Sequence, residues 1–126
     1  MIRGRSIAVV EDDTGIRTAL ADLLKAADCT AETFPSAEAF LERGLTGAFD
    51  FLIADINLPG MTGVALLETL AARGVPLPAV LITGRDDPAT RELIRRADPV
   101  PLVRKPFSDD ELFDALQHAV RLGRTP

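Results

Sequence analysis

Apolar residues fall along the chain in two alternating rhythms. Short runs rich in apolar and β-branched residues lie at about 6–10, 30–34, 51–54, 79–83 and 101–104. Each is followed by a stretch in which apolar residues return every three or four positions, at about 14–27, 36–44, 63–73, 88–97 and 109–122. The first rhythm predicts strands and the second predicts helices. Three of the strand runs are apolar almost throughout, as strands covered on both faces are. The first helical stretch puts Ile16, Leu20, Leu23, Leu24 and Ala27 on one stripe. The third carries Val64, Leu67, Leu70 and Ala71 before Gly74 and Pro76, a fitting stop. The last opens on Ser108-Asp109-Asp110-Glu111, a capping box in which the serine and glutamate side chains each satisfy an otherwise orphaned amide. The fourth is poor in apolar residues (Ala89, Leu93, Ile94, Ala97) and bracketed by Pro88, Pro99 and Pro101, so mobility is expected there.

Five strand–helix units joined by right-handed crossovers make an open, doubly wound α/β fold on a five-stranded parallel sheet. A ligand site in such a sheet lies outside the carboxyl ends of the strands. Strand one runs into Glu11, Asp12 and Asp13, strand three into Asp55, strand four into Thr83-Gly84 and strand five into Lys105-Pro106. Three carboxylates (Glu11, Asp12, Asp55) about 5 Å apart repel by about 3 kcal/mol per pair at an effective dielectric of about 20, so they take up a proton or bind a cation. Oxygen ligands with room for water favour magnesium, or manganese in its place. With a metal bound, Asp55 is equipped to attack a phosphoryl group and become an aspartyl phosphate. Lys105 then neutralises charge on the phosphoryl oxygens and the Thr83 hydroxyl donates a hydrogen bond to one of them. After Asp55 the chain reads Ile56-Asn57-Leu58-Pro59-Gly60-Met61-Thr62-Gly63, a tight turn that places the Asn57 backbone carbonyl toward the metal. Lys105-Pro106 is a candidate cis bond.

Composition narrows the function classes. The 126 residues suffice for one domain, and 47% hydrophobic with 26% charged residues is ordinary for a folded globular protein. Fourteen Lys and Arg against nineteen Asp and Glu leave a net charge of −5, which argues against direct nucleic-acid binding. With one cysteine (Cys29) and one histidine (His118), neither an internal disulfide nor a Cys/His zinc framework can be assembled. The longest apolar runs are too short for a membrane span or a secretory signal, so a cytoplasmic location is expected. About four residues, 123–126, remain beyond the last helix, so the reading is one domain over 1–126 with no output domain in this chain.

Val9-Val10-Glu11-Asp12, the Asp55 to Gly63 segment, Leu81-Ile82-Thr83-Gly84 and Lys105-Pro106-Phe107 together resemble the receiver domain of two-component response regulators. The resemblance spans essentially the whole chain. It implies a flavodoxin-like receiver fold with strand order 2-1-3-4-5 and five helices. It also implies a sensor histidine kinase or a histidine phosphotransfer protein as partner and magnesium-dependent phosphorylation of Asp55, followed by self-catalysed hydrolysis rather than turnover of a substrate. Glu11 and Asp12 correspond to its acidic pair, Asp55 to its acceptor, Thr83 to its switch hydroxyl and Lys105 to its lysine. The face of helix four, strand five and helix five is then the output surface and a candidate homodimer contact. One position departs: three residues before the lysine, where receivers carry Tyr or Phe, stands Leu102. Phosphorylation is expected to shift Thr83 and the loop to Pro88, with Leu102 changing its packing rather than its exposure.

Taken singly, each residue has an ordinary reading: Asp12 or Asp13 as a helix cap, Thr83 as a strand residue, Lys105 as a solvated cation. Asp86-Asp87 and Arg95-Arg96 read as solvated faces, and Cys29 as a small semi-buried residue closing helix one. An aspartate-nucleophile phosphatase would carry Asp-x-Asp where this chain has Asp55-Ile56-Asn57, and a flavin site would need a phosphate loop where it has Glu-Asp-Asp. A receiver-like docking module that is never phosphorylated is the alternative that Leu102 leaves standing.

Overall fold

The computed structural model describes residues 2–43 and 48–123. Strands β1 (Ser6–Val10), β2 (Thr30–Phe34), β3 (Phe51–Asp55), β4 (Ala79–Thr83) and β5 (Leu102–Arg104) alternate with helices α1 (Thr14–Ala26), α2 (Ala37–Glu42), α3 (Gly63–Ala72), α4 (Pro88–Ala97) and α5 (Asp109–Gly123). All strand pairs are parallel, in the order β2-β1-β3-β4-β5. The expected end of helix two at residue 44 and the tail 124–126 lie outside the described residues. No helix among the described residues is long and apolar enough to cross a membrane.

Period-two alternation sorts the strand residues onto two apolar layers. Ile7, Val9, Ile53, Val80, Ile82 and Val103 face α1 and α5, meeting Leu20, Leu24, Leu112 and Leu116. Ala8, Val10, Leu52, Ala54 and Leu81 face the other way, toward Phe40 of α2 and Val64, Leu66 and Leu70 of α3. Each fully buried leucine or isoleucine contributes about 1.5–3 kcal/mol, so these layers dominate the stability of the sheet.

Helix starts follow the capping chemistry expected of them. The Asp13 carboxylate accepts the Ile16 amide (2.9 Å), so Asp13 rather than Asp12 caps α1. Ser108 and Glu111 form the reciprocal box, at 3.1 and 3.0 Å. Arg73 closes α3 and Gly74 follows at φ +76°. β5 starts at Leu102, one residue later than expected, because Pro101 has no amide to donate and contributes only its carbonyl, to Leu81. α5 runs on through Gly123. Both Lys105-Pro106, as expected, and Asp98-Pro99, unforeseen, are cis.

α4 is the least apolar helix. Only Thr90 is buried, and Leu93, Ile94 and Ala97 are half-buried. Charges hold its outer face: Arg96 pairs with Glu68 of α3 (2.5 Å), Arg95 with Glu92 (2.6 Å) and Arg91 with Asp86 (3.1 Å).

Candidate functional site

Strand register builds the site. Val10 pairs with Ala54, so Glu11 and Asp55 leave the sheet side by side. Asp55 pairs with Ile82 and Thr83 with Arg104, which brings Thr83 and then Lys105 to the same rim. The Lys105 ammonium lies 2.6 Å from Asp55 Oδ2 and 2.8 Å from Glu11 Oε1. Asp55 Oδ1 accepts the Asn57 amide at 2.8 Å, and Glu11 Oε2 accepts the Asp13 amide at 3.1 Å. Glu11, Asp55 and Thr83 are buried, whereas Asp12 is exposed.

Burial pushes the Glu11 carboxyl above the usual carboxylate value, against the pull of the Lys105 ammonium and the Asp13 amide. Burial works to depress the Lys105 ammonium, but its hydrogen bond to Asp55 and its ion pair with Glu11 outweigh that and hold it above the ordinary lysine value. Lys105 is therefore a fixed positive charge between two acids.

One oxygen from each of Glu11, Asp12 and Asp55 lies within 4.8 Å of the other two. Glu11 Oε1 is buried with no hydrogen bond, its countercharge being the Lys105 ammonium alone. An all-carboxylate donor set with one buried oxygen that receives no hydrogen bond fits a hard divalent cation such as magnesium or manganese.

Thr83 reaches the rim, but its hydroxyl is turned to Asn57: it donates to Asn57 Oδ1 at 2.5 Å and accepts the Arg85 amide at 3.1 Å. Leu102 lies on β5 opposite Leu81, half-buried in the layer shared with α3 and α4. Beside Lys105, an open and largely apolar cavity of about 550 Å³ is walled by Ile16, Leu20 and Leu23 of α1 together with Pro106 and Phe107.

Two parts of the arrangement went unread in the sequence. The Asn57 side chain, not only its backbone, is engaged, donating to Thr90 Oγ1 at 3.0 Å. Asp87, read as a solvated charge, accepts a hydrogen bond from the Thr90 hydroxyl and pairs with Arg85 at 2.9 Å. A usable signal existed: Thr90 stands at helical spacing from Leu93, Ile94 and Ala97, a polar residue on the inward stripe.

Comparison with known proteins bears on this geometry. The family model described as "Response regulator receiver domain" matches residues 7–117. The transcriptional regulatory protein FixJ of Bradyrhizobium diazoefficiens is 31% identical over 115 residues, covering 91% of this chain and 56% of that protein. The response regulator protein TodT of Pseudomonas putida is 30% identical over 121 residues, covering 96% and 53%. The chain thus spans about half the length of the curated relatives it matches. Among solved structures, FixJ-N superposes with a TM-score of 0.82 at 28% identity, over 94% of this chain and 95% of that one. The response regulator StyR gives 0.80 at 34% identity, over 93% and 59%.

Proposed function

The chain belongs to the response regulator receiver domain family of two-component systems, and from that footing we propose that it accepts a phosphoryl group from a histidine kinase or phosphotransfer protein onto Asp55. The observation that carries the reading is the convergence of Glu11, Asp12, Asp55 and Lys105 on one rim, with the Lys105 ammonium 2.6 Å from the Asp55 carboxylate. In the transfer, a carboxylate oxygen of Asp55 bonds to phosphorus as the bond from phosphorus to the donor's imidazole nitrogen breaks. That nitrogen keeps the electron pair and takes up a proton. Lys105 stays charged throughout and neutralises the phosphoryl oxygens beside Asp55. The Asn57 amide orients the acceptor by holding its Oδ1. Thr83 donates a hydrogen bond from its hydroxyl to a phosphoryl oxygen.

Magnesium or manganese, when held by Glu11, Asp12, Asp55 and the Asn57 carbonyl, supplies further charge neutralisation at the same place. The apolar cavity along α1 borders Lys105, on the surface a protein donor must cover to reach Asp55. The α4–β5–α5 face passes the signal on by protein contact, with a second copy of the chain as one candidate partner. Water then hydrolyses the acyl phosphate and returns the carboxylate. The expected location is the cytoplasm, where the donor kinases of this family act.

Intact-mass spectrometry after incubation with acetyl phosphate and magnesium tests the proposal. One added phosphoryl group is expected, absent in Asp55→Asn and absent without a divalent metal. No adduct on the wild-type chain under any condition refutes it and leaves the docking-module reading, which Leu102 at the usual aromatic position favours.

A further inference from the structure

Five residues beside the acceptor close a ring of polar contacts. The Thr83 hydroxyl donates to Asn57 Oδ1, and the Asn57 carboxamide donates to Thr90 Oγ1. The Thr90 hydroxyl donates to Asp87, whose carboxylate also pairs with the Arg85 guanidinium. The Arg85 backbone amide returns to Thr83 Oγ1. Asp87 sits at the N-cap of α4, yet its side chain caps no amide, unlike Asp13, Ser36 and Thr62 at theirs. Its carboxylate is turned into the ring instead.

The ring can be traversed in one direction only. A carboxylate accepts and cannot donate, so the single proton of Thr90 goes to Asp87. Thr90 must then accept from Asn57, which fixes the amide with Nδ2 toward Thr90 and Oδ1 toward Thr83. With an acceptor facing it and the Arg85 amide occupying one of its two lone pairs, the Thr83 hydroxyl has one use for its proton. Thr83 and Thr90 are both buried, so water offers no easy substitute at either.

We infer that Thr90 is a positioning residue for phosphoryl uptake: through the Asn57 carboxamide it commits the Thr83 hydroxyl's hydrogen bond to Asn57, and a phosphoryl group on Asp55 has to draw that hydrogen bond away. This rests on Asp55 being the acceptor. Loss of the Thr83 bond releases Asn57 from one of its two side-chain partners and loosens the tie between the Asp55 loop and the first turn of α4, which carries both Asp87 and Thr90.

Thr90→Val keeps the shape of the side chain and removes its hydroxyl. Asp87→Asn keeps a good N-cap residue but replaces an acceptor-only group with one able to donate, and its partly exposed position spares the fold. Both variants should take up phosphoryl from limiting acetyl phosphate about three- to ten-fold faster than wild type, the range implied by losing one neutral hydrogen bond of the resting state. The Thr83 methyl resonance of each, before any phosphodonor is added, should move toward its position in wild type saturated with magnesium and beryllofluoride. Thr90→Ser, which restores the hydroxyl, should return both readouts to the wild-type values. Wild-type uptake with unchanged or slower uptake in both Thr90→Val and Asp87→Asn, or with the Thr83 resonance unmoved in both, overturns the inference alone. Absence of uptake in wild type removes the acceptor reading and the inference with it.

Discussion

Cys29 shows how a single buried group ties stability to pH. Its thiol donates to the Ile2 carbonyl at 3.2 Å, and burial pushes its pKa above the ordinary thiol value, with the nearby Asp28 charge adding to the rise. The folded chain therefore holds this proton more tightly than the unfolded chain does. Its contribution is complete below the ordinary thiol pKa and is lost as pH rises through the folded value. Wild type should lose stability more steeply than Cys29→Ala between neutral pH and about pH 10, whatever the offset between them from lost packing. Urea unfolding followed by far-ultraviolet circular dichroism measures this, the chain having neither Trp nor Tyr. Parallel pH profiles would refute the assignment. At the same scale lies the hardest part of the site to read in advance. Glu11, Asp12, Asp55, Thr83 and Lys105 stand at strand ends, and strand ends are marked by the apolar runs before them. The bond from Asn57 to Thr90 joins positions 33 apart, and the helical stripe that marks Thr90 as inward does not name its partner.

Among the elements, the turn from β3 into α3 is the most constrained. Gly60 takes φ +75°, and a Cβ there would first meet the flexible carboxylate of Glu38, whose Oε2 accepts the Met61 amide at 3.0 Å. Gly63 is a different case: a Cβ would stand 2.3 Å from the Asp55 carbonyl oxygen and 3.0 Å from its carbon, both backbone atoms. Gly63→Ala must push α3 away from the end of β3, at a cost of about 1–3 kcal/mol. Gly74→Ala has open space around it and only its φ of +76° to strain, about 1 kcal/mol. Urea denaturation ranks the two, and a larger loss for Gly74→Ala contradicts the packing described. The helices were legible to the degree that their starts carry side-chain chemistry and their stripes are apolar. α1, α3 and α5 meet both conditions. α4 was legible in its bounds, from Pro88 and the stripe of Leu93, Ile94 and Ala97, but not in what holds it: its cap residue faces the ring, its buried position is a threonine, and its outer face is secured by ion pairs that a hydropathy pattern does not contain.

Across the molecule, three gathered carboxylates with a single lysine against two of them leave excess negative charge at the rim. A divalent cation that binds the folded chain alone must stabilise it. At a hundredfold excess over its dissociation constant, magnesium should add about 2.7 kcal/mol, or roughly 10 °C in the thermal midpoint of a domain this size. Asp12→Asn, at an exposed position, should abolish most of the shift while leaving the metal-free midpoint near wild type. Equal shifts in the two proteins would place the cation elsewhere. The strand order has a separate effect, on how copies of the chain meet one another. β2 and β5 form the two outer edges of the sheet. β2 carries Glu32, paired with Arg43 at 2.9 Å, and β5 is three residues long and ends on Arg104. Short, charged borders of this kind give a neighbouring molecule no long apolar ladder to extend, so the same layout that gathers the acids also blunts fibril-like growth.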